Sequence, residues 1–489
     1  MHPDASPDPG VPPEAGEGRL FGSIFTTDEL LEATSDRAWV AAMLEFEAAL
    51  ALAEAETGVV PPEAAAEIAE ACSRLRPDPG TLGRAARASG NPAVPLVAEL
   101  AKAVGERASP YVHHGATSQD VLDTASMLVA QRAGRLVLRS LVAAGDAAAS
   151  LAEAHGTTLL VARTLLQPAL PTTFALKAAG WLDALTDSRD LLSGTLDRRL
   201  AAELGGAAGT LASLGSAGPA TASALARRLG LSEPRLPWHA ARGRVAELAC
   251  ALALVTGVAG KISLDVELLM QFEVAEAAEP AAPGRGASST LPHKRNPVAA
   301  AAVGAAARRA GALAGTLLTA LPHEHERAVG AWHAEWEQLS ELLRLSGGAA
   351  DHLATTLSGL EVDAARMRAN LDATGGILLA ERIVLRLAPI LGRRPARDAV
   401  ERAVRAARSL PPVQAGGPAD RLDAAGFAEA LRQEPAIAGA LSAEEVEELL
   451  DPAGYLGSAG VFVGRALDAW SAPGALTPGQ EAPGGGRAR

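Results

Sequence analysis

A nearly all-α protein is predicted, with three helical domains and a long central helix bundle. Three observations carry this. Aromatic residues make up 3% of the 489-residue chain, so the cores must be built mainly from Ala, Leu and Val, which suits closely packed long helices. Apolar residues recur at helical spacing over long stretches. Gly and Pro cluster between those stretches, where they punctuate helices. A chain of this length exceeds one ordinary core and is expected to split into two or three domains.

Residues 1–18 hold several prolines, glycines and acids, with no basic region followed by an apolar one. They read as a disordered tail and not a signal peptide, and residues 472–489 read the same way. Residues 19–112 form a small helical domain with breaks at 58–62, 76–80 and 90–95. Its helices, such as residues 36–57 with Trp39, Met43, Phe46 and Leu50 on one stripe, read as packing without evident chemistry. Residues 113–360 hold the long bundle helices. Residues 361–471 form a separate helical domain broken at Gly392, Pro411-Pro412 and Gly416-Gly417.

The net charge of -13 argues against a nucleic-acid-binding surface, which needs a clustered basic face. Cys72 and Cys250 are far apart and lack metal-ligand spacing, so neither a disulfide framework nor a metal site is expected, and the cytoplasm is the default compartment. The most apolar run, residues 248–260, has the length of a core helix, so no membrane span is expected. No cofactor is expected.

Four stretches carry the chemistry. In residues 111–120, Tyr-Val-His-His-Gly-Ala-Thr-Ser-Gln-Asp, Thr117 and Asp120 have the spacing of a capping box, and Ser118 could cap equally well. Hydroxyls and free N–H groups at a helix start also bind carboxylates, so capping and ligand binding are compatible. Residues 162–174 place two prolines around a short apolar turn between helices. The glycine cluster at Gly205 lacks the Lys-Ser/Thr of a phosphate loop and reads as a close helix crossing. Residues 283–297, Pro-Gly-Arg-Gly-Ala-Ser-Ser-Thr-Leu-Pro-His-Lys-Arg-Asn-Pro, cannot propagate a helix and read as a mobile loop. Asn296 then caps a helix with Pro297 at its first position. That N-terminus, with Arg285, Lys294 and Arg295, would hold a carboxylate or phosphate.

Residues 288–297 resemble the mobile-loop motif of the fumarase/aspartase superfamily, G-S-S-x-M-P-x-K-x-N-P. Residues 113–124 resemble its first motif, H-x-G-x-T-S-x-D-x-x-D-T, and residues 162–173 its second, G-R-T-H-x-Q-x-A-x-P-T-T. The resemblance implies the fumarase/aspartase-like fold and a lyase in which Ser288 takes a proton from the carbon beside a carboxylate. Lys294 is the second catalytic residue that it implies, and with Asn296 it holds the substrate's carboxylates. It also implies substrate contacts from His113, Thr117, Ser118, Arg163, Gln167, Ser289 and Arg327. A small di- or tricarboxylate substrate is implied, as is a homotetramer whose active sites each take motifs from three chains.

Where the second motif has a histidine that serves as general acid, this chain has Leu165. A departing hydroxide or amine needs a proton, and losing the acid costs roughly two to four orders of magnitude in rate. The sequence therefore favours a leaving group that is already a stable anion. The branch that lacks this histidine, bacterial 3-carboxy-cis,cis-muconate cycloisomerase, is similar over most of the chain, through Trp181 and residues 205–211, 236–239 and 323–336. Ala162, Ala175 and Ala287 stand where glycine is expected, Leu291 where methionine is, and Phe272 and Ala275 where the branch has threonine and glycine. The added volume points to a compact substrate. Elimination from a C2-substituted succinate meets both conditions; nitrosuccinate, giving fumarate and nitrite, is a substrate type of that branch's relatives and the best match that the resemblance implies, with the cycloisomerase reaction the alternative. An inactive helical scaffold is the non-enzyme reading, against which Ser288, Lys294 and Asn296 stand together.

Overall fold

The computed structural model describes residues 20–282, 286, 291, 294–409 and 424–472. Eighteen α-helices and four short strands lie among them, as the all-α class requires. The chain divides into two compact units, one of residues 1–140, 191–260 and 302–351, the other of residues 141–190, 261–301 and 352–489. Every boundary falls inside a long helix.

The first unit opens with α1 (Asp28–Ala33), α2 (Asp36–Glu56), α3 (Pro62–Arg74), α4 (Pro79–Ser89) and α5 (Ala93–Ala103). Their starts follow local chemistry: Thr27, Ser35 and Asp78 accept from the N–H three residues on, the usual N-cap bond. Gly58 and Gly90, at φ +76° and +75°, supply the left-handed turns that the predicted breaks need. The third break is shorter than expected, since Pro95 lies in the first turn of α5, where its missing N–H costs nothing.

Along α2, Met43, Phe46 and Leu50 are buried as the stripe predicts. The same helix also buries Glu47 and Glu54, which the packing reading does not anticipate. Burial first, and then the charge of Glu47, push the Glu54 carboxyl from 4.5 up to about 8. The folded protein thus keeps a proton that the unfolded chain loses. Its contribution to stability is complete at low pH and is lost as pH rises toward 8, at about 1.4 kcal/mol per pH unit. Glu54→Gln should remove this slope, measured as urea midpoints at several pH values. Parallel profiles for variant and wild type would show that Glu54 does not titrate in this range.

The long helices are α6 (Ser118–Ala154), α7 (Phe174–Arg198), α9 (Gly243–Met270), α10 (Val298–Thr319) and α11 (Trp336–Ser358), with the shorter α8 (Gly218–Leu229) between α7 and α9. Small residues let them approach closely. A β-carbon on Gly134 would lie 2.5 Å from Leu196, and one on Gly260 would lie 2.7 Å from Ala307. Helix α9 runs well beyond residues 248–260, and by length and apolar composition alone it could cross a membrane. Its Ala249, Leu252, Val255, Ala259, Ile262 and Val266 are at most 1% exposed, so the stripe is covered by protein, as in a core helix.

In the second unit, the stretch expected to be an irregular turn is a β-hairpin. Strands β1 (Leu159–Thr164) and β2 (Gln167–Thr173) pair antiparallel, with a register shift between Val161 and Arg163. Leu165 and Leu166 form its tip at φ +52° and +65°, the left-handed geometry of the tightest hairpin turns. A second small pairing joins β3 (Ala277–Ala278) to β4 (Glu361–Val362). Beyond it come α12 (Ala364–Asp372), α13 (Ala380–Leu391), α14 (Arg393–Arg408), α15 (Ala424–Gln433), α16 (Pro435–Ala438), α17 (Ala443–Leu449) and α18 (Ala459–Ser471). Ile383, Leu387, Val400, Phe427, Leu431 and Ile437 form their shared core. Gly392, at φ +85°, makes the expected break between α13 and α14, whereas Pro411-Pro412 and Gly416-Gly417 lie outside the described residues.

Candidate active site

The predicted site residues fall in two groups, one in each unit. In the first unit the turn before α6 is held by Asp120. Its Oδ2 accepts the N–H of Thr117 at 2.9 Å and of Gly206 at 3.0 Å, and its Oδ1 accepts the N–H of Gly205 at 3.0 Å. Nε2 of His239 lies 2.6 Å from the same Oδ1. Gly205 and Gly206 are therefore not at a helix crossing, as expected, but in a loop that wraps its amides around a buried carboxylate. Gly206 has φ +68°, and a β-carbon there would sit 2.8 Å from the Gly115 carbonyl oxygen.

Only half of the predicted capping box forms: the Thr117 N–H reaches Asp120, while the Thr117 hydroxyl accepts from Arg327 Nη1 at 2.8 Å. Arg327 also donates to the carbonyls of Gly206 (3.3 Å) and Ala207 (3.0 Å). Thr117, Ser118, His113 and Arg327 thus cluster around one helix start, all part-buried. Helix dipole, free amides and a guanidinium together suit a carboxylate.

The rest of the motif serves the scaffold. Thr124 Oγ1 bonds the backbone N–H and carbonyl of Glu203 at 2.8 and 3.1 Å. Asp123 takes two bonds from Arg242 at 2.6 and 2.9 Å and one from Trp332 Nε1 at 2.9 Å. Arg242 also binds Glu335, and this buried pairing outweighs desolvation and raises the guanidinium pKa above its already high value. Burial and the charges of Asp120 and Asp123 push Glu203 up to about 9.

In the second unit Arg163 is bound by both oxygens of the buried Glu276, at 2.7 and 2.8 Å, and Asn370 Nδ2 joins that carboxylate at 2.9 Å. Lys177 on α7 lies near this cluster, and desolvation holds its ammonium below the usual lysine value. Gln167 is exposed at the base of the hairpin turn, and Leu165 at the tip is 97% exposed. Phe272, expected to crowd a substrate, is 90% exposed, so within this chain it fills no interior volume.

The expected anion site at the helix after the loop is already filled. The helix starts at Val298, one residue later than predicted, and the N–H groups of Ala299 and Ala300 donate to buried Glu279 at 3.3 and 2.8 Å. Arg295 is likewise committed, with two bonds of 2.9 Å to Glu361. Lys294 is exposed and has no carboxylate partner among the described residues. Asn296 gives its backbone and side-chain N–H groups to the Gly286 carbonyl at 3.1 and 3.0 Å. Ser288 and Ser289, and with them Arg285, lie outside the described residues.

Comparison with known proteins agrees with these motifs. Residues 23–311 match the family described as lyase, and residues 376–466 match the one described as adenylosuccinate lyase C-terminus. A 3-carboxy-cis,cis-muconate cycloisomerase of Pseudomonas aeruginosa is 46% identical over 92% of this chain and 96% of its own. A nitrosuccinate lyase of Streptomyces davaonensis is 46% identical over 89% of this chain and 91% of its own. The crystal structure of 3-carboxy-cis,cis-muconate lactonizing enzyme from Pseudomonas putida superposes with a TM-score of 0.83 at 43% identity, covering 92% of this chain and 98% of that one. The chain is an enzyme of the lyase family within the fumarase/aspartase superfamily.

Proposed function

We propose that the chain interconverts 3-carboxy-cis,cis-muconate and its lactone, with Ser288 moving the proton on the carbon beside a carboxylate. In the lactonising direction a substrate carboxylate adds to one carbon of the double bond and the proton is delivered to its neighbour. In reverse, Ser288 takes that proton and the carboxylate departs. The observation that carries this reading is Leu165 in place of the motif's histidine, within a chain 46% identical to a cycloisomerase over nearly its whole length. A carboxylate leaves as a stable anion and needs no general acid. Thr117, Ser118, His113 and Arg327 bind one carboxylate on this reading, while Lys294 and Asn296 with Ser289 bind another. Gln167 and Arg163 complete the site, Arg163 once Glu276 shares it. The protein works as a cytoplasmic homotetramer whose sites draw on several chains.

Nitrosuccinate elimination is the second reading, supported by the 46% identity to a nitrosuccinate lyase and by the same Leu165. There Ser288 takes the C3 proton, the C2–N bond breaks, and nitrite and fumarate form. A direct comparison of kcat/KM decides. A preference of about a hundredfold or more for the muconate, equivalent to about 2.7 kcal/mol of transition-state binding, is expected. The reverse preference would replace this reading with the second, and silence on both with a folded chain would overturn both and point to another small carboxylate substrate.

A further inference from the structure

Helix α2 carries two carboxylates into the interior of the first unit, outside every motif named above. Glu47 is 1% exposed and Glu54 is fully buried. Neither oxygen of Glu54 has a hydrogen-bond partner among the described residues, nor does Oε2 of Glu47. The other Glu47 oxygen, Oε1, lies 2.7 Å from Nδ1 of His113. A buried carboxylate is costly unless its charge is matched, and His113 is the group set against this one.

His113 is itself held in an unfavourable backbone state, at φ +57°. Strain of this kind persists where the surroundings over-determine it, and it clusters at functional sites. The strained residue belongs to the turn that ends in Thr117, whose hydroxyl meets Arg327. With Nδ1 engaged by Glu47, Nε2 is the ring atom left for a ligand, on a side chain 18% exposed.

We propose that Glu47 is a positioning residue that orients His113 and holds it as an imidazolium, so that the Thr117–Arg327 turn presents a second fixed cation to a substrate carboxylate. The inference rests on the carboxylate-binding reading of that turn.

The charged groups facing the ring agree. Burial, the largest influence, works to discharge His113, but the charge and hydrogen bond of Glu47 and the charge of Asp120 on α6 together hold it above the usual histidine range. Glu54 keeps its proton near neutrality because burial pushes it up to about 8. Cys72 on α3, beside Glu47, is pushed up to about 12 by burial and stays a thiol. One negative charge from α2 therefore faces the ring.

Two measurements test this on the full-length protein. The first is the pH dependence of His113 modification by diethyl pyrocarbonate, read by peptide mass spectrometry, because only the neutral ring reacts. Wild-type His113 should become reactive only above the pH at which an ordinary histidine does. In Glu47→Gln, which keeps an acceptor for Nδ1–H but removes the charge, reaction at pH 7 should be about threefold faster or more. Glu47→Asp should fall between them. The second is calorimetric binding of succinate as an inert dicarboxylate, expected to weaken about tenfold in Glu47→Gln. An ordinary wild-type modification profile overturns the pairing even if neither variant folds, and so do identical profiles in wild type and Glu47→Gln. If the profile shifts but succinate binds both proteins equally, the proposed aid to binding is overturned. If the profile shifts and wild type binds no succinate, the pairing stands and the carboxylate-binding reading of the turn fails.

Discussion

Replacing Ser288 with alanine is expected to leave the fold and substrate binding intact and to lower kcat by at least about a thousandfold. The proton beside a carboxylate is weakly acidic, and its removal leaves a carbanion that adds to the charge already on the substrate. A positioned base and preorganised cations are what make that step accessible. Alanine removes the base and leaves Lys294 and Asn296 in place, so KM should change little while kcat falls. Near-normal turnover would remove Ser288 from the role. The same variant tests whether sites are shared: mixed with Thr117→Ala chains, it should regain part of the activity, because some mixed assemblies then contain sites with both motifs intact. No recovery after verified subunit exchange would place each site within a single chain.

The all-α class was legible because alanine-rich helical periodicity is a local property, and local signals survive in a sequence. The hairpin at residues 159–173 was not. Pro168 and Pro171 read as helix breakers, which they are, but breaking a helix does not reveal that Arg163 will pair with Pro168 and Val161 with Pro171. The helix start after the loop shows a related limit. Its charges and free amides can be counted in the sequence, whereas the partners that occupy them cannot, since Glu279 precedes the helix and Glu361 lies 66 residues beyond Arg295. The glycine cluster shows the same limit: it reads as a close helix crossing, and the buried carboxylate 85 residues earlier that its amides wrap is not legible in the sequence. Glu47 and Glu54 could have been found. Residues 43, 47, 50 and 54 follow helical spacing, so the stripe that buries Met43 and Leu50 carries both glutamates inward with them.

Asp120→Asn is expected to cost about 3–5 kcal/mol of stability and to weaken carboxylate binding with it. Four donors converge on the two oxygens of Asp120: the N–H groups of Thr117, Gly205 and Gly206, and Nε2 of His239. All of this is enclosed, with Asp120 fully buried and His239 3% exposed. Asparagine keeps one acceptor and turns the other into a donor, so buried N–H groups meet an N–H where they had an oxygen. With the amide nitrogen beside Thr117 and Gly206 two backbone donors lose their acceptor, and with it on the other side Gly205 loses its acceptor and His239 must change tautomer to accept through Nε2. Leaving a buried donor unpaired costs about 1–3 kcal/mol, and two such losses account for the expected total. The functional loss follows from the same contacts. Thr117 and Gly206 are two of the three residues that hold Arg327, the third being Ala207, and both are anchored by Asp120. Urea unfolding of the variant, beside succinate binding measured well below its midpoint, checks both parts. A variant within about 1 kcal/mol of wild type would mean that the four donors find other partners, and the turn would then be held by its glycines and by Arg327 rather than by the carboxylate at its centre.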